Sequence, residues 1–165
     1  MPFLPTWTAP TVDGISPDFL KQQGIKLVML DFDNTIVPYT TAVPTERVKK
    51  WLENMQESGL LLCVVSNSHN NRVPDFCERY GLNCITHAKK PFSKGIRECL
   101  SRFEIKPREA VLIGDQIYTD TLGGNCAGVR TLLVRSIHNH TIWLKLRHVA
   151  EMPFILLSKN RRIGK

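Results

Sequence analysis

Leu27-Val28-Met29-Leu30-Asp31-Phe32-Asp33-Asn34-Thr35 is the stretch whose reading decides the fold of this chain. Four consecutive apolar residues suit a strand buried on both faces, as in a parallel sheet, and two carboxylates follow where such a strand ends. In open α/β sheets that edge is where ligands bind. Two Asp one residue apart can converge on one Mg²⁺, with one side chain acting as nucleophile toward phosphorus and the other as its acid/base partner. Thr35 adds a hydroxyl for a phosphate oxygen. A strand running into a solvated Asp-Asn turn has the same local pattern, so the decision rests on what lies downstream.

Downstream, strand and helix signals alternate. Thr45 to Ser58 places Val48, Trp51, Leu52 and Met55 at the spacing of a helix with one buried face, with Thr45 as N-cap and Gly59 as stop. Leu60 to Val65 is a second buried strand ending in Ser66-Asn67. Arg72 to Tyr80 repeats the helical spacing through Val73, Phe76, Cys77 and Tyr80, with Pro74 tolerated only in the first turn. A short strand at Asn83 to Thr86 precedes Lys89-Lys90-Pro91, and a helix follows over Ser93 to Phe103. Val111 to Gly114 is a strand that delivers Asp115. Thr119 to Ala127 reads as helix, Val129 to Val134 as strand and Thr141 to Ala150 as a last helix. Phe154 to Leu157 reads as a last core strand or a shallow interfacial contact, the core strand being favoured. Upstream, Pro2, Pro5, Pro10 and Pro17 exclude a regular helix or a central strand, leaving an arm that wraps the body before a short helix over Ser16 to Gln23. The alternation predicts an α/β fold, a parallel sheet with helices on both faces, in which every strand delivers its following residues to one edge.

Residues 1–165 form one domain by length, with an arm and short helix over 1–24 and a basic part over 121–165. The composition, 42% hydrophobic and 22% charged, is that of an ordinary globular protein. Its 5 cysteines are odd in number and lack C-x-x-C spacing, which points to reduced thiols in a cytosolic protein. No apolar run is of membrane-spanning length and Met1 to Pro10 lacks the pattern of a signal peptide, so the expected location is the cytoplasm. The net charge of +7 is concentrated, because residues before 121 balance and residues 121–165 hold Glu151 as their single acid against eight Lys and Arg. That asymmetry suggests an anionic partner, phospholipid headgroups or nucleic acid, beside the plain alternative of a solvated basic face. His69, His87, His138, His140 and His148 offer no convincing metal spacing except His138-x-His140. Trp143 with Lys145, Arg147 and His148 fits a solvated or an interfacial helix face.

Four groups now stand in order: Asp31-x-Asp33-x-Thr35, Ser66-Asn67, Lys90-Pro91, and Gly114-Asp115-Gln116-Ile117-Tyr118-Thr119-Asp120. Taken singly, Ser66 and Asn67 are ordinary turn formers and Lys90 an ordinary solvated charge. Together they supply what phosphoryl transfer requires: an in-line nucleophile, a metal, donors for the equatorial oxygens and a cation. The chain resembles the haloacid-dehalogenase-like (HAD) phosphatases, whose four motifs match in order and in placement after strands. More closely it resembles the YqeG family of subfamily IIIA.

The resemblance implies a Rossmannoid three-layer fold and the following roles. Asp31 attacks phosphorus to give an aspartyl-phosphate, and Asp33 protonates the leaving oxygen and then activates water. Mg²⁺ sits on the Asp31 carboxylate, the Asp33 carbonyl and Asp115, with Asp120 supporting it from behind. Thr35, Ser66 and Asn67 bind phosphate, and Lys90, placed directly before proline, offsets the charge of nucleophile and phosphate. The interval from Asp33 to Ser66 is filled by a loop, one helix and one strand, so no large cap domain fits. An open metal edge favours a phosphate on something large. Relatives in the family include phosphatidylglycerophosphate phosphatases, which makes an anionic lipid at the inner face of a membrane the expected substrate and the basic segment a peripheral contact. A soluble, nucleotide or nucleic-acid phosphate is the alternative substrate, and a non-catalytic RNA- or ribosome-associated factor the alternative role.

Overall fold

Leu27–Leu30 (β2) is buried along its whole length and pairs in parallel with Leu61–Val65 (β3) on one side and Ala110–Gly114 (β5) on the other. The computed structural model describes residues 2–137 and 151–163, with the backbone alone at Lys159. Trp7–Ala9 (β1), Asn83–Ile85 (β4) and Arg130–Val134 (β6) complete a six-stranded sheet, parallel throughout, in the order β1-β6-β5-β2-β3-β4. The chain leaves β2 toward β3 and β4, then returns to β5 on the other side. The switch in direction therefore lies between β2 and β5, where open α/β sheets form their binding crevice.

Alternation along each strand divides the core into two. Val28, Leu30, Leu62, Val64, Val111 and Ile113 face one cluster, covered by Pro17–Gln22 (α1), Glu46–Glu57 (α2) and Arg72–Tyr80 (α3). Leu27, Met29, Cys63, Val65 and Leu112 face the other, covered by Lys94–Arg102 (α4) and by Leu122–Cys126 (α5), whose Gly124 lies against Leu112. The result is a three-layer α/β fold, and no large cap is present among the described residues. Trp51 lies in the first cluster and donates its indole N–H to the Ile15 carbonyl at 2.8 Å. The ends of α2 and α3 follow their sequence signals: Thr45 Oγ1 accepts from the Val48 amide, and Gly81 closes α3 at φ 64°.

Two elements differ from expectation. The Pro-rich arm contributes β1, the outermost strand of the sheet beside β6, with one further bridge from Thr8 to Arg162; this outer place is where flanking prolines are tolerated. Phe154 to Leu157 is not a core strand: residues 151–157 are helical, and Leu156 and Leu157 are exposed. A run of four apolar residues carries no period, and within this helix buried Glu151 accepts the Ile117 amide at 3.0 Å. Phe154 packs against Phe3 with ring centroids 5.2 Å apart. The helix expected over Thr141 to Ala150 lies outside the described residues. The five cysteines are free thiols. No helix among the described residues is long and apolar enough to cross a membrane.

Candidate active site

Parallel register brings the strand-end residues together. The Asp31 amide donates to the Ile113 carbonyl at 2.9 Å, which sets Asp31 beside Gly114 and Asp115 at the carboxyl edge. The Ser66 amide donates to Ile85 and the Ala88 amide to Ser66, which draws the segment carrying Lys90 toward the same edge. Carboxylate oxygens of Asp31, Asp115 and Asp120 lie within 4.8 Å of one another, and all three residues are buried.

Lys90 is the cation among them. Its ammonium lies 2.6 Å from Asp31 Oδ1 and 2.7 Å from Asp120 Oδ1, with only 1% of the side chain exposed. Burial works against its charge, but Asp120 and Asp31 outweigh that and push its pKa above the ordinary lysine value. Asp120 is pushed up to about 6 by burial, against the lowering effect of Lys90. Its second oxygen accepts from the Gln116 amide at 3.2 Å. Gly114 is required by this packing, because a Cβ there would overlap the Asp120 carboxylate.

The remaining expected residues take distinct places. Thr35 Oγ1 donates to Asp31 Oδ2 at 3.2 Å, so its hydroxyl orients the carboxylate facing Lys90. Ser66 is buried, and its Oγ accepts from the Ser68 amide at 3.1 Å. The Asn67 side chain is engaged by the Lys90 backbone, accepting from its amide at 2.7 Å and donating to its carbonyl at 2.9 Å. Asn67 thereby holds the main chain that aims Lys90. Asp33 turns its carboxylate to Arg72, 3.0 Å away, outside the three-carboxylate group. Burial raises its pKa, with Arg72 opposing. His69 and His87 stack edge to face at 4.2 Å, but no histidine joins the acidic group among the described residues.

Three side chains have no site role assigned from the sequence. Arg72 appeared only as the start of a helix, yet it binds Asp33 and also donates to the carbonyls of Pro38 and Thr41. Ser136 donates to Asp115 Oδ2. Glu151 seats the helix of residues 151–157 on the π-helical turn Ile117–Thr121. Each is separated from its partner by tens of residues, and no local pattern marks it.

Three buried carboxylates against one ammonium leave an excess of negative charge that a bound cation would balance. An all-oxygen set without thiolate or imidazole suits a hard divalent ion. An acidic group with an embedded lysine, at the switch point of a parallel sheet, defines a hydrolase of the phosphoryl-transfer class. The profile of the haloacid dehalogenase-like hydrolases matches residues 39–134, and the chain belongs to that family. It is a phosphatase, a phosphoric monoester hydrolase.

The chain is 38% identical over 132 residues to the probable phosphatase YqeG of Bacillus subtilis, covering 80% of this chain and 77% of the relative. It is 25% identical to a glyceraldehyde 3-phosphate phosphatase of Pyrococcus furiosus, covering 75% of this chain and 50% of that protein. It is 26% identical to phosphatidylglycerophosphate phosphatase 1 of Arabidopsis thaliana, covering 89% of this chain and 45% of that protein. This chain thus spans about half the length of the latter two. Among solved structures, 3-deoxy-D-manno-octulosonate 8-phosphate phosphatase of Moraxella catarrhalis, in complex with magnesium, phosphate and sugar, superposes with a TM-score of 0.51 at 14% identity. That alignment covers 85% of this chain and 96% of the other. At this identity the likeness is one of fold.

Proposed function

We propose that the protein is a Mg²⁺-dependent phosphomonoesterase working through an aspartyl-phosphate, and that its substrate is an anionic lipid, phosphatidylglycerophosphate, dephosphorylated to phosphatidylglycerol. The observation that carries the chemistry is Lys90, whose ammonium bridges Asp31 at 2.6 Å and Asp120 at 2.7 Å within the acidic group. Asp31 Oδ forms a bond to phosphorus as the ester P–O bond breaks, and the departing oxygen takes the Asp33 proton. Asp33 then accepts a proton from water as that water attacks phosphorus, releasing phosphate and restoring Asp31. Lys90 offsets the charge that gathers on nucleophile and phosphoryl oxygens. Thr35 holds the Asp31 carboxylate, Ser66 serves the phosphoryl oxygens, and Asn67 fixes the Lys90 segment. Asp31, Asp115 and the Asp33 carbonyl are the groups that would hold Mg²⁺, with Asp120 behind them, and the ion when bound supplies positive charge against the phosphoryl oxygens.

Support for the lipid is threefold. No large cap lies over the site among the described residues, the Arabidopsis relative is named for this reaction, and the helix of residues 151–157 exposes Met152, Leu156 and Leu157 within a basic stretch of sequence. Contact with the membrane would be peripheral, at its cytoplasmic face. The Pyrococcus relative favours a second reading, a small soluble phosphate ester. Phosphate release from phosphatidylglycerophosphate vesicles, glyceraldehyde 3-phosphate, a 5′-phosphorylated oligonucleotide and p-nitrophenyl phosphate tests both. The lipid reading expects the highest kcat/KM on the vesicles. A higher value on the soluble ester selects the second reading, and no release from any substrate defeats both.

A further inference from the structure

Beside the acidic group lies a cleft of about 680 Å³, walled by the ends of β1 and β6 and by the helix of residues 151–157. Its lining includes Asp115, so it opens onto the group in which Asp115 and Asp31 oxygens are within 4.8 Å. A volume of this size accommodates a small organic ligand. The walls are of two kinds. Leu133 and Ile155 are apolar, whereas Arg135, Ser136 and Arg162 are polar.

The two arginines are conspicuous for what their neighbours do. Arg130 donates to the Gln23 carbonyl and stacks 5.6 Å from the Trp7 ring centroid, and Arg161 donates to the Pro5 carbonyl at 2.7 Å. Both tie down the N-terminal arm or the helix after it. Arg135 and Arg162 make no side-chain hydrogen bond or ion pair among the described residues, and both line this one cleft. Two arginines and apolar side chains lining one cleft that also reaches Asp115 suit an anion joined to an apolar body.

We infer that this cleft is the leaving-group subsite: it holds a phosphodiester, carried on an acylated glycerol, that is linked to the phosphomonoester under attack at Asp31. The inference rests on the phosphatase reading above and adds to it a place for the second phosphate. Arg135 and Arg162 bind the phosphodiester oxygens, while Leu133 and Ile155 contact the glycerol and the first acyl carbons. Phosphomonoesters that lack the second anion reach the reacting groups without filling the cleft.

The test uses the full chain, with Arg135→Gln, Arg162→Gln and the double variant, all at exposed positions. Calorimetric binding is measured for monomeric dihexanoyl phosphatidylglycerol, a phosphodiester without a phosphomonoester, and for glycerophosphoglycerol, its soluble counterpart. Turnover of p-nitrophenyl phosphate with Mg²⁺ is followed in parallel. Each arginine removed should weaken binding of the lipid by about tenfold, in line with charge-assisted hydrogen bonds, and leave kcat/KM on p-nitrophenyl phosphate unchanged. Lipid affinity equal in wild type and variants overturns the subsite, as does an equal loss on p-nitrophenyl phosphate. Tighter binding of glycerophosphoglycerol than of the acylated ligand overturns the lipid class. Arginine-dependent binding in a wild-type protein that turns over no p-nitrophenyl phosphate overturns the phosphatase reading instead, and with it the description of the bound anion as a leaving group.

Discussion

Arg72 Nη1 lies 3.0 Å from Asp33 Oδ1, and the same guanidinium reaches the carbonyls of Pro38 and Thr41 and sits 5.4 Å from the Phe32 ring centroid. One side chain on α3 therefore holds both the proposed general acid and the loop that follows it. Burial raises the pKa of Asp33 and Arg72 lowers it. A raised pKa keeps the acid protonated to higher pH, so the descending limb of kcat/KM lies above the ordinary carboxylate range. Arg72→Leu removes the lowering influence, and the limb should move further alkaline in a pH–rate profile on an alkyl phosphate. The rate itself should drop by at least about tenfold through loss of positioning. A limb that moves toward acid contradicts this account.

Asp31→Asn should abolish turnover and leave the fold intact, since it removes the proposed nucleophile with little change of volume. Phosphomonoester hydrolysis is among the slowest uncatalysed reactions, so residual catalysis cannot hide the loss. Asp33→Asn should slow an alkyl phosphate by about 10²- to 10⁴-fold and p-nitrophenyl phosphate much less, because nitrophenolate leaves without a proton. Equal slowing of the two substrates would show that Asp33 is not the leaving-group acid.

Activity should vanish with a chelator and return with Mg²⁺, and Asp115→Ala should raise the metal concentration needed for half-maximal rate. Ser136→Ala, which takes away only the hydroxyl that Asp115 Oδ2 accepts from, should shift the same titration in the same direction by a smaller factor. Full activity in excess chelator excludes a metal role.

Lys90→Met leaves Asp31 and Asp120 buried without their cation and should cost about 3 to 5 kcal/mol in urea unfolding, as for breaking a buried pair from one side. The pH dependence has a definite sign. Asp120 is raised to about 6 with Lys90 present, and losing Lys90 raises it further. Relative to an unfolded carboxyl near 3.8 the folded state then binds the extra proton, so stability is fullest at low pH and is lost as pH rises through the folded value. The deficit of Lys90→Met should be larger at pH 8 than at pH 5.

Gly114→Ala should disable the site from behind. The added methyl collides with the Asp120 carboxylate, so Asp120 must leave Lys90 and the Gln116 amide. A loss of activity comparable to Asp120→Ala, with the far-UV spectrum unchanged, is expected. Wild-type activity in Gly114→Ala would mean that Asp120 does not need its observed position.

From sequence alone, the α/β class, the four strand-end groups and their common edge were all legible. The reason is local: a buried apolar run that ends in Asp or Ser can be read residue by residue, and parallel topology then carries every strand end to the same side. In the sequence Lys90 is distinguished from Lys89 only by its place before proline, and the fold makes the difference physical, since Lys90 is buried between carboxylates and Lys89 is exposed. Tertiary structure alone decided the rest. Arg72 meets Asp33 across 39 residues and Glu151 meets Ile117 across 34, and Arg162 reaches the rim of a cleft beside Asp115. Phe154 to Leu157 lies in a helix that Glu151 fastens to the Ile117 amide, and the Pro-rich arm is a strand because β6 offers it an edge to pair with. A charged side chain on a helix or an exposed turn is compatible with many partners, and its choice is set by distances that exist only once the sheet has closed.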